Sequence, residues 1–208
     1  MGWVTAVLLA AGASRRMRGA HKVLLDWKGQ PLLCYQLDQL LRLPVEKVVV
    51  VLGYGAEETR PLVSRQDPRI MVIVNPDYRR GKSSSVRLGV AQVGEKGEGV
   101  LILGVDQPRP AALLNKLLAA HRKSGALLSV PTYQGKHGHP LVYHRSLLPE
   151  LLAISERRQG LREVTERHRR ELHEVPLDNG LILANINTQR DYHAALKVAA
   201  RLKEGETS

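Results

Sequence analysis

The sequence predicts an α/β fold on a largely parallel sheet. Short apolar runs of strand length recur at residues 3–9, 47–52, 70–74, 100–105 and 126–130, and amphipathic stretches of helical period separate the first four and follow the fourth. The residues able to carry chemistry fall just after these runs, where open α/β sheets bind their ligands.

Each element has a local reason. The run at 3–9 opens into LAAGASRRMRGAHK, a turn too rich in small and basic residues to continue a strand. A helix is expected over 31–43, with Pro31 in its first turn. Further helices are expected over 56–64, 83–93 and 110–124, each spaced to bury one face. The second, third and fifth strands run into the turn formers Gly53, Asn75 and Pro131. Beyond His139 the pattern loosens to a strand at 140–143, helical pieces at 147–154 and 161–168, a strand at 181–184 and a last helix at 189–202. Residues 203–208 read as a frayed polar tail. There is no repeat, low-complexity segment or linker, so residues 1–208 are expected to form a single domain.

Composition narrows the partners. The formal net charge of +11 calls for an anionic partner, whether nucleic acid, a membrane surface or a phosphorylated small molecule. Aromatic residues are only 4%, with no Phe, so the stacking platforms of single-strand binders are scarce. No apolar run reaches the roughly 18 residues of a membrane span, and no basic region precedes the N-terminal apolar stretch. A cytoplasmic location without membrane attachment is the resulting expectation. The single cysteine, Cys34, leaves no internal disulfide and falls on the apolar face of the first helix.

After the first strand, small residues at Ala10, Ala11, Gly12 and Ala13 admit a ligand close to the backbone, while Arg15, Arg16, Arg18 and Lys22 bring charge. Alone, the segment reads equally as a solvated basic loop. After the third strand, Arg79, Arg80 and Lys82 lead into three serines able to cap a helix and leave its N-terminal N–H groups open. Gly81-Lys82-Ser83 mimics the end of a P-loop. The opening glycine of that motif would be Pro76, which has no N–H for a phosphate. No GxGxxG supports a dinucleotide-binding oxidoreductase. After the fourth strand, Asp106 is a lone carboxylate that needs a cation or metal ion beside it. His137 and His139 in KHGHP lack a third zinc ligand. Asn185 and Asn187 offer amide oxygens suited to Mg²⁺.

Taken in order, LAAGASRRM with Lys22, GKSSSVRLG, DQP, GHP and NINTQRDY resemble the molybdenum cofactor cytidylyltransferases, within a wider superfamily that includes guanylyl and sugar-nucleotide enzymes. The likeness runs over about residues 4–196. It implies a three-layer α/β/α nucleotidyltransferase fold, Rossmann-like and GT-A-like, with a mainly parallel sheet. It also implies a Mg-dependent transfer of CMP from CTP to the phosphate of molybdopterin, with a molybdoenzyme or its chaperone as receiving partner and no nucleic acid. By the resemblance, Ala10, Ala11 and Gly12 approach base and sugar, and Arg16 and Lys22 hold the triphosphate. Gly81 and Ser85 line the base pocket, Asp106 binds Mg²⁺ with Asn187 second, and Gly138, His139 and Pro140 face the pterin.

The chain departs from the family pattern at Asn185 and Asn187, where an acidic pair is usual, at Arg18 in place of a glycine, and at Arg109, expected to add charge near the phosphates. The double alanine and DQP favour CTP over GTP. Two alternatives remain open at this point: a related enzyme using GTP or another NTP with an acceptor such as a sugar phosphate, and a non-catalytic basic protein that binds RNA or delivers the cofactor. The second draws on Arg157, Arg158, Arg162, Arg167, Arg169 and Arg170, which the interleaved glutamates also explain as a solvated face.

Overall fold

A computed structural model describes residues 3–17, 21–64, 67–95 and 97–205. Arg18 lies outside them, as does the end of the tail, 206–208. Eight strands form one mixed sheet: β1 (Val4–Ala10), β2 (Val45–Leu52), β3 (Ile70–Val74), β4 (Gly99–Gly104), β5 (Leu128–Tyr133), β6 (Lys136–His137), β7 (Leu141–His144) and β8 (Leu172–Pro176). Their order is β3-β2-β1-β4-β7-β5-β6, with β8 on β5. β1 to β4 are mutually parallel, as are β5 and β8, while β7 is antiparallel to β4 and β5.

The three layers follow from the two-residue period of the strands. In β1, Val4, Ala6, Leu8 and Ala10 face one core, shared with helices α1 (Leu32–Leu41), α2 (Ala56–Val63), α4 (Ala111–Ser124) and α7 (Gln189–Gly205). Val7 and Leu9 face the other core, shared with α3 (Lys82–Val90), α5 (Leu148–Ala153) and α6 (Leu161–Arg167). β2 divides likewise, Val48, Val50 and Leu52 on the first side and Val49 and Val51 on the second. Cys34 is buried in α1, its Sγ 3.7 Å from the Leu62 carbonyl oxygen.

The C-terminal third departs most from expectation. β5 passes through Pro131 to Tyr133 instead of stopping there, because the Pro131 carbonyl still accepts from Gly138 N while the β8 ladder runs along the other edge. The strand expected at 181–184 is a 3₁₀ turn, Gly180–Leu183, started by the Asn179 side chain, which accepts from Leu181 N. β8 lies in an arginine- and glutamate-rich stretch whose alternation the charged residues hide. α7 continues three residues past its expected end at 202. The arginine cluster is paired with glutamates at Arg158–Glu163, Arg167–Glu150, Arg167–Glu163 and Arg169–Glu166, as a solvated face would be. Among the described residues no helix is long and apolar enough to cross a membrane.

Candidate active site

The parallel register of β1 to β4 brings four loops to one sheet edge: Leu9 pairs with Gly104, Ala10 with Leu52, and Leu52 with Val74. Between them lies a cavity of about 330 Å³ lined by Ala11, Gly12, Ser14, Lys22, Tyr78, Gly81, Lys82, Ser85 and Asp106. That is the scale of a small-ligand site. Ala10 is not on its wall; its side chain is packed into the core at the end of β1.

The loops are fixed by polar side chains. Ser14 Oγ accepts from Lys22 N at 3.1 Å, which folds the basic turn back on itself. Asn75 Nδ2 donates to both Ser84 Oγ and Ser85 Oγ at 2.9 Å, and Asn75 is almost wholly buried. The serines therefore belong to the first turn of α3, and Gly81, with φ of 107°, precedes the helix as its N-cap. Asn75 had been readable only as a turn former.

Charge converges at the mouth. Lys22 Nζ lies 3.3 Å from Asp106 Oδ2 and 3.0 Å from Asn187 Oδ1, and Arg16 donates to the same Asn187 oxygen at 3.2 Å. Asn185 is elsewhere engaged: its Oδ1 accepts from Gln107 Nε2 at 2.7 Å. Of the two asparagines, Asn187 is the one beside Asp106. Its backbone is fixed by Asp191, whose Oδ2 accepts from the N–H groups of Asn187 and Thr188 at 3.0 and 2.9 Å. Thr188 Oγ1 accepts from Asp191 N in return, and the hydrogen bonds from Thr188 and these N–H groups lower the carboxyl pKa. This reciprocal cap has a sequence signature, Thr188-x-x-Asp191. The Ile186 N–H donates to the Asp106 carbonyl at 2.8 Å, tying the two loops together.

These hard oxygens fit Mg²⁺. One carboxylate and one amide oxygen already converge on a cation, the lysine ammonium, and the same two oxygens would suit Mg²⁺, which prefers hard oxygen ligands. No group of three or more His, Cys, Asp or Glu able to hold a metal occurs among the described residues. His137 is instead bonded to Glu174 at 2.6 Å.

A second cavity, about 490 Å³, adjoins the first, and Lys82 lines both. Gln107, Gly138 and His139 supply polar wall, while Val86, Ile102, Leu141, Tyr143 and Ile154 supply an apolar one. Pro140, which follows His139 through a cis bond, does not line it. Burial, reinforced by the charges of Lys82 and Arg109, pushes the His139 pKa down to about 4, so its ring is neutral at pH 7.

Arg109 corrects the sequence reading. It is fully buried and lines neither cavity, donating to the carbonyls of Pro108, His139, Ile182 and Ala184 at 2.8 to 3.0 Å. Burial lowers its pKa to about 9, which leaves it charged at neutral pH. It clamps the 139 loop to the 3₁₀ turn, and the carbonyls it satisfies are those a strand would have used. Arg109→Met should cost roughly 3–5 kcal/mol in urea unfolding, because the Pro108, His139 and Ala184 carbonyls lose their donor together, while that of Ile182 keeps the His139 N–H. A loss below about 1 kcal/mol would show that water replaces the guanidinium at no cost.

Fold and site together define a nucleotide-dependent transferase: a parallel-sheet edge with a basic turn, one carboxylate, and two adjoining cavities. Residues 6–172 match the MobA-like NTP transferase domain, and the chain belongs to that family of nucleotidyltransferases. It is 27% identical over 198 residues to the molybdenum cofactor cytidylyltransferase of Escherichia coli, covering 94% of this chain and 96% of that one. It is 34% identical over 152 residues to the nicotine blue oxidoreductase of Paenarthrobacter nicotinovorans, covering 70% and 73%. The solved structure of a nucleotidyl transferase from Methanothermobacter thermautotroptrophicus has the same fold, with a TM-score of 0.78 at 24% identity, over 96% of this chain and 99% of that one.

Proposed function

We propose that the protein transfers CMP from CTP to the terminal phosphate of a molybdopterin cofactor, releasing pyrophosphate. The observation that carries the transfer chemistry is the meeting of Lys22, Asp106 and Asn187 beside a nucleotide-sized cavity that adjoins a second, partly apolar one. Support for CTP and the pterin comes from the double alanine Ala10-Ala11, the Asp106-Gln107-Pro108 triplet, and the cytidylyltransferase relative that matches along nearly the whole chain.

In this reading, an oxygen of the acceptor phosphate attacks the α-phosphorus of CTP. A new P–O bond forms, the bond to the bridging oxygen of the β-phosphate breaks, and pyrophosphate leaves with that electron pair. A phosphate monoester, with second pKa about 6, is already ionised at pH 7, so no general base is needed. Ala11 and Gly12 admit the nucleotide against backbone, and Gly81 and Ser85 border the base. Lys22 and Arg16 offset charge on the departing pyrophosphate, and Lys82 stands between the two substrates. Asp106 and Asn187 would hold Mg²⁺, which supplies Lewis-acid neutralisation of the phosphate oxygens. Gly138 and His139 would contact the pterin, His139 as a neutral hydrogen-bonding ring.

A thermal-shift panel of CTP, GTP, ATP and UTP with Mg²⁺ tests the nucleotide. CTP should raise Tm most, by about 5–10 °C at a hundredfold excess over its Kd. A larger shift with GTP would move the protein to guanylyl transfer. NADH and NADPH belong in the same panel, because one relative is an oxidoreductase; a shift with them alone would overturn the transferase reading.

A further inference from the structure

The first turn of α3 carries a feature that nucleotide binding leaves unexplained. Ser83 is 3% exposed, its Oγ has no hydrogen-bond partner among the described residues, and it lines the second cavity but not the first. Its backbone N–H is taken by a carboxylate from far along the chain, Glu156 Oε1, at 2.5 Å. First-turn N–H groups have no partner inside their helix and carry the positive end of its dipole, so they select anions.

The segment that brings Glu156 is shaped for the contact. Gln159 and Gly160 both have positive φ, 64° and 58°, and Gly160 N closes the turn on the Ser155 carbonyl at 2.9 Å. A Cβ on Gly160 would stand 2.9 Å from Ser83 Oγ, and a Cβ on Gly81 would overlap the Glu156 side chain. Glu156 is otherwise exposed and is the one carboxylate among the described residues lining the cavity, whose cations are Lys82 and Arg162.

We propose that this turn is the seat of the acceptor's phosphate, bound by the Ser83 N–H, the Ser83 hydroxyl and Lys82, and that Glu156 is a built-in carboxylate which that phosphate displaces. A carboxylate oxygen satisfies the N–H but leaves the buried hydroxyl unpartnered. A phosphate has oxygens enough for N–H, hydroxyl and ammonium at once. Lys82 borders both cavities, so an anion held here lies at the boundary where the two substrates must meet. Identifying the anion as the acceptor's phosphate rests on the nucleotidyl-transfer reading; the anion seat itself does not.

Inorganic phosphate is the probe, titrated calorimetrically into the full chain, Glu156→Ala, Glu156→Gln and each combined with Ser83→Ala. Removing the competing charge should tighten phosphate binding about tenfold, the size of a partly buried charge at a helix terminus. Adding Ser83→Ala should reverse the gain. Glu156→Gln keeps an oxygen for the Ser83 N–H, so it answers the question even if Glu156→Ala fails to fold. Unchanged affinity in the Glu156 variants, or a gain insensitive to Ser83→Ala, overturns the seat. The gain without CTP-dependent pyrophosphate release keeps the anion seat and removes its assignment to the acceptor; CTP turnover without the gain removes the seat and leaves the transfer reading standing.

Discussion

Asp106→Ala should abolish pyrophosphate release, by about 10³-fold or more, while the folded state loses less than about 1 kcal/mol. The two effects separate because of where the side chain sits. Its carboxylate is 29% exposed and its ion pair is with Lys22, so packing does not depend on it. The structural link through this residue is made by its backbone, which accepts from Ile186 N and survives the substitution. In the proposed mechanism activity, by contrast, depends on Asp106, the one carboxylate among the described residues lining this cavity, to hold a cation for the phosphates. Pyrophosphate release and urea midpoints measured on the same preparation check both halves. Activity within about tenfold of the parent would remove Asp106 from metal binding.

Lys22→Ala should slow transfer by roughly 10²-fold, chiefly in kcat, the loss typical of one electrostatic donor at a charged transition state. Lys22 Nζ is held between Asp106 Oδ2 and Asn187 Oδ1, with its side chain 12% exposed. With Mg²⁺ on those two oxygens, the ammonium would be free to turn toward the phosphates, where it offsets charge developing on the leaving group. A change below about threefold, measured under saturating CTP, would reduce Lys22 to surface charge.

The first half of the chain was legible because its information is local. Valines and leucines alternate between two cores in β1 and β2, and Pro31 and Pro110, expected at helix starts, stand as the N-caps of α1 and α4. The site residues after β1 and β4 were legible for the same reason: in a parallel sheet, position after a strand fixes position in space. The rest depends on long-range partners. Nothing near Arg109 announces that its guanidinium ends on carbonyls up to 75 residues away. The strand expected at 181–184 failed because Ile182 and Ala184 give their carbonyls to that arginine. Glu156 read as one of many charges on a basic face, and only its contact with Ser83 N distinguishes it.

In the proposed reaction the α-phosphoryl group of CTP passes to a phosphorylated pterin. The direct measurement is to incubate the protein with Mg²⁺, molybdopterin cofactor and CTP labelled in the α-phosphate, and to follow the label alongside pyrophosphate. Label should appear in a pterin dinucleotide, one equivalent for each pyrophosphate released, and neither product should form with Asp106→Ala. CTP left intact would rule out the transfer, and label transferred equally well by Asp106→Ala would rule out its dependence on that carboxylate.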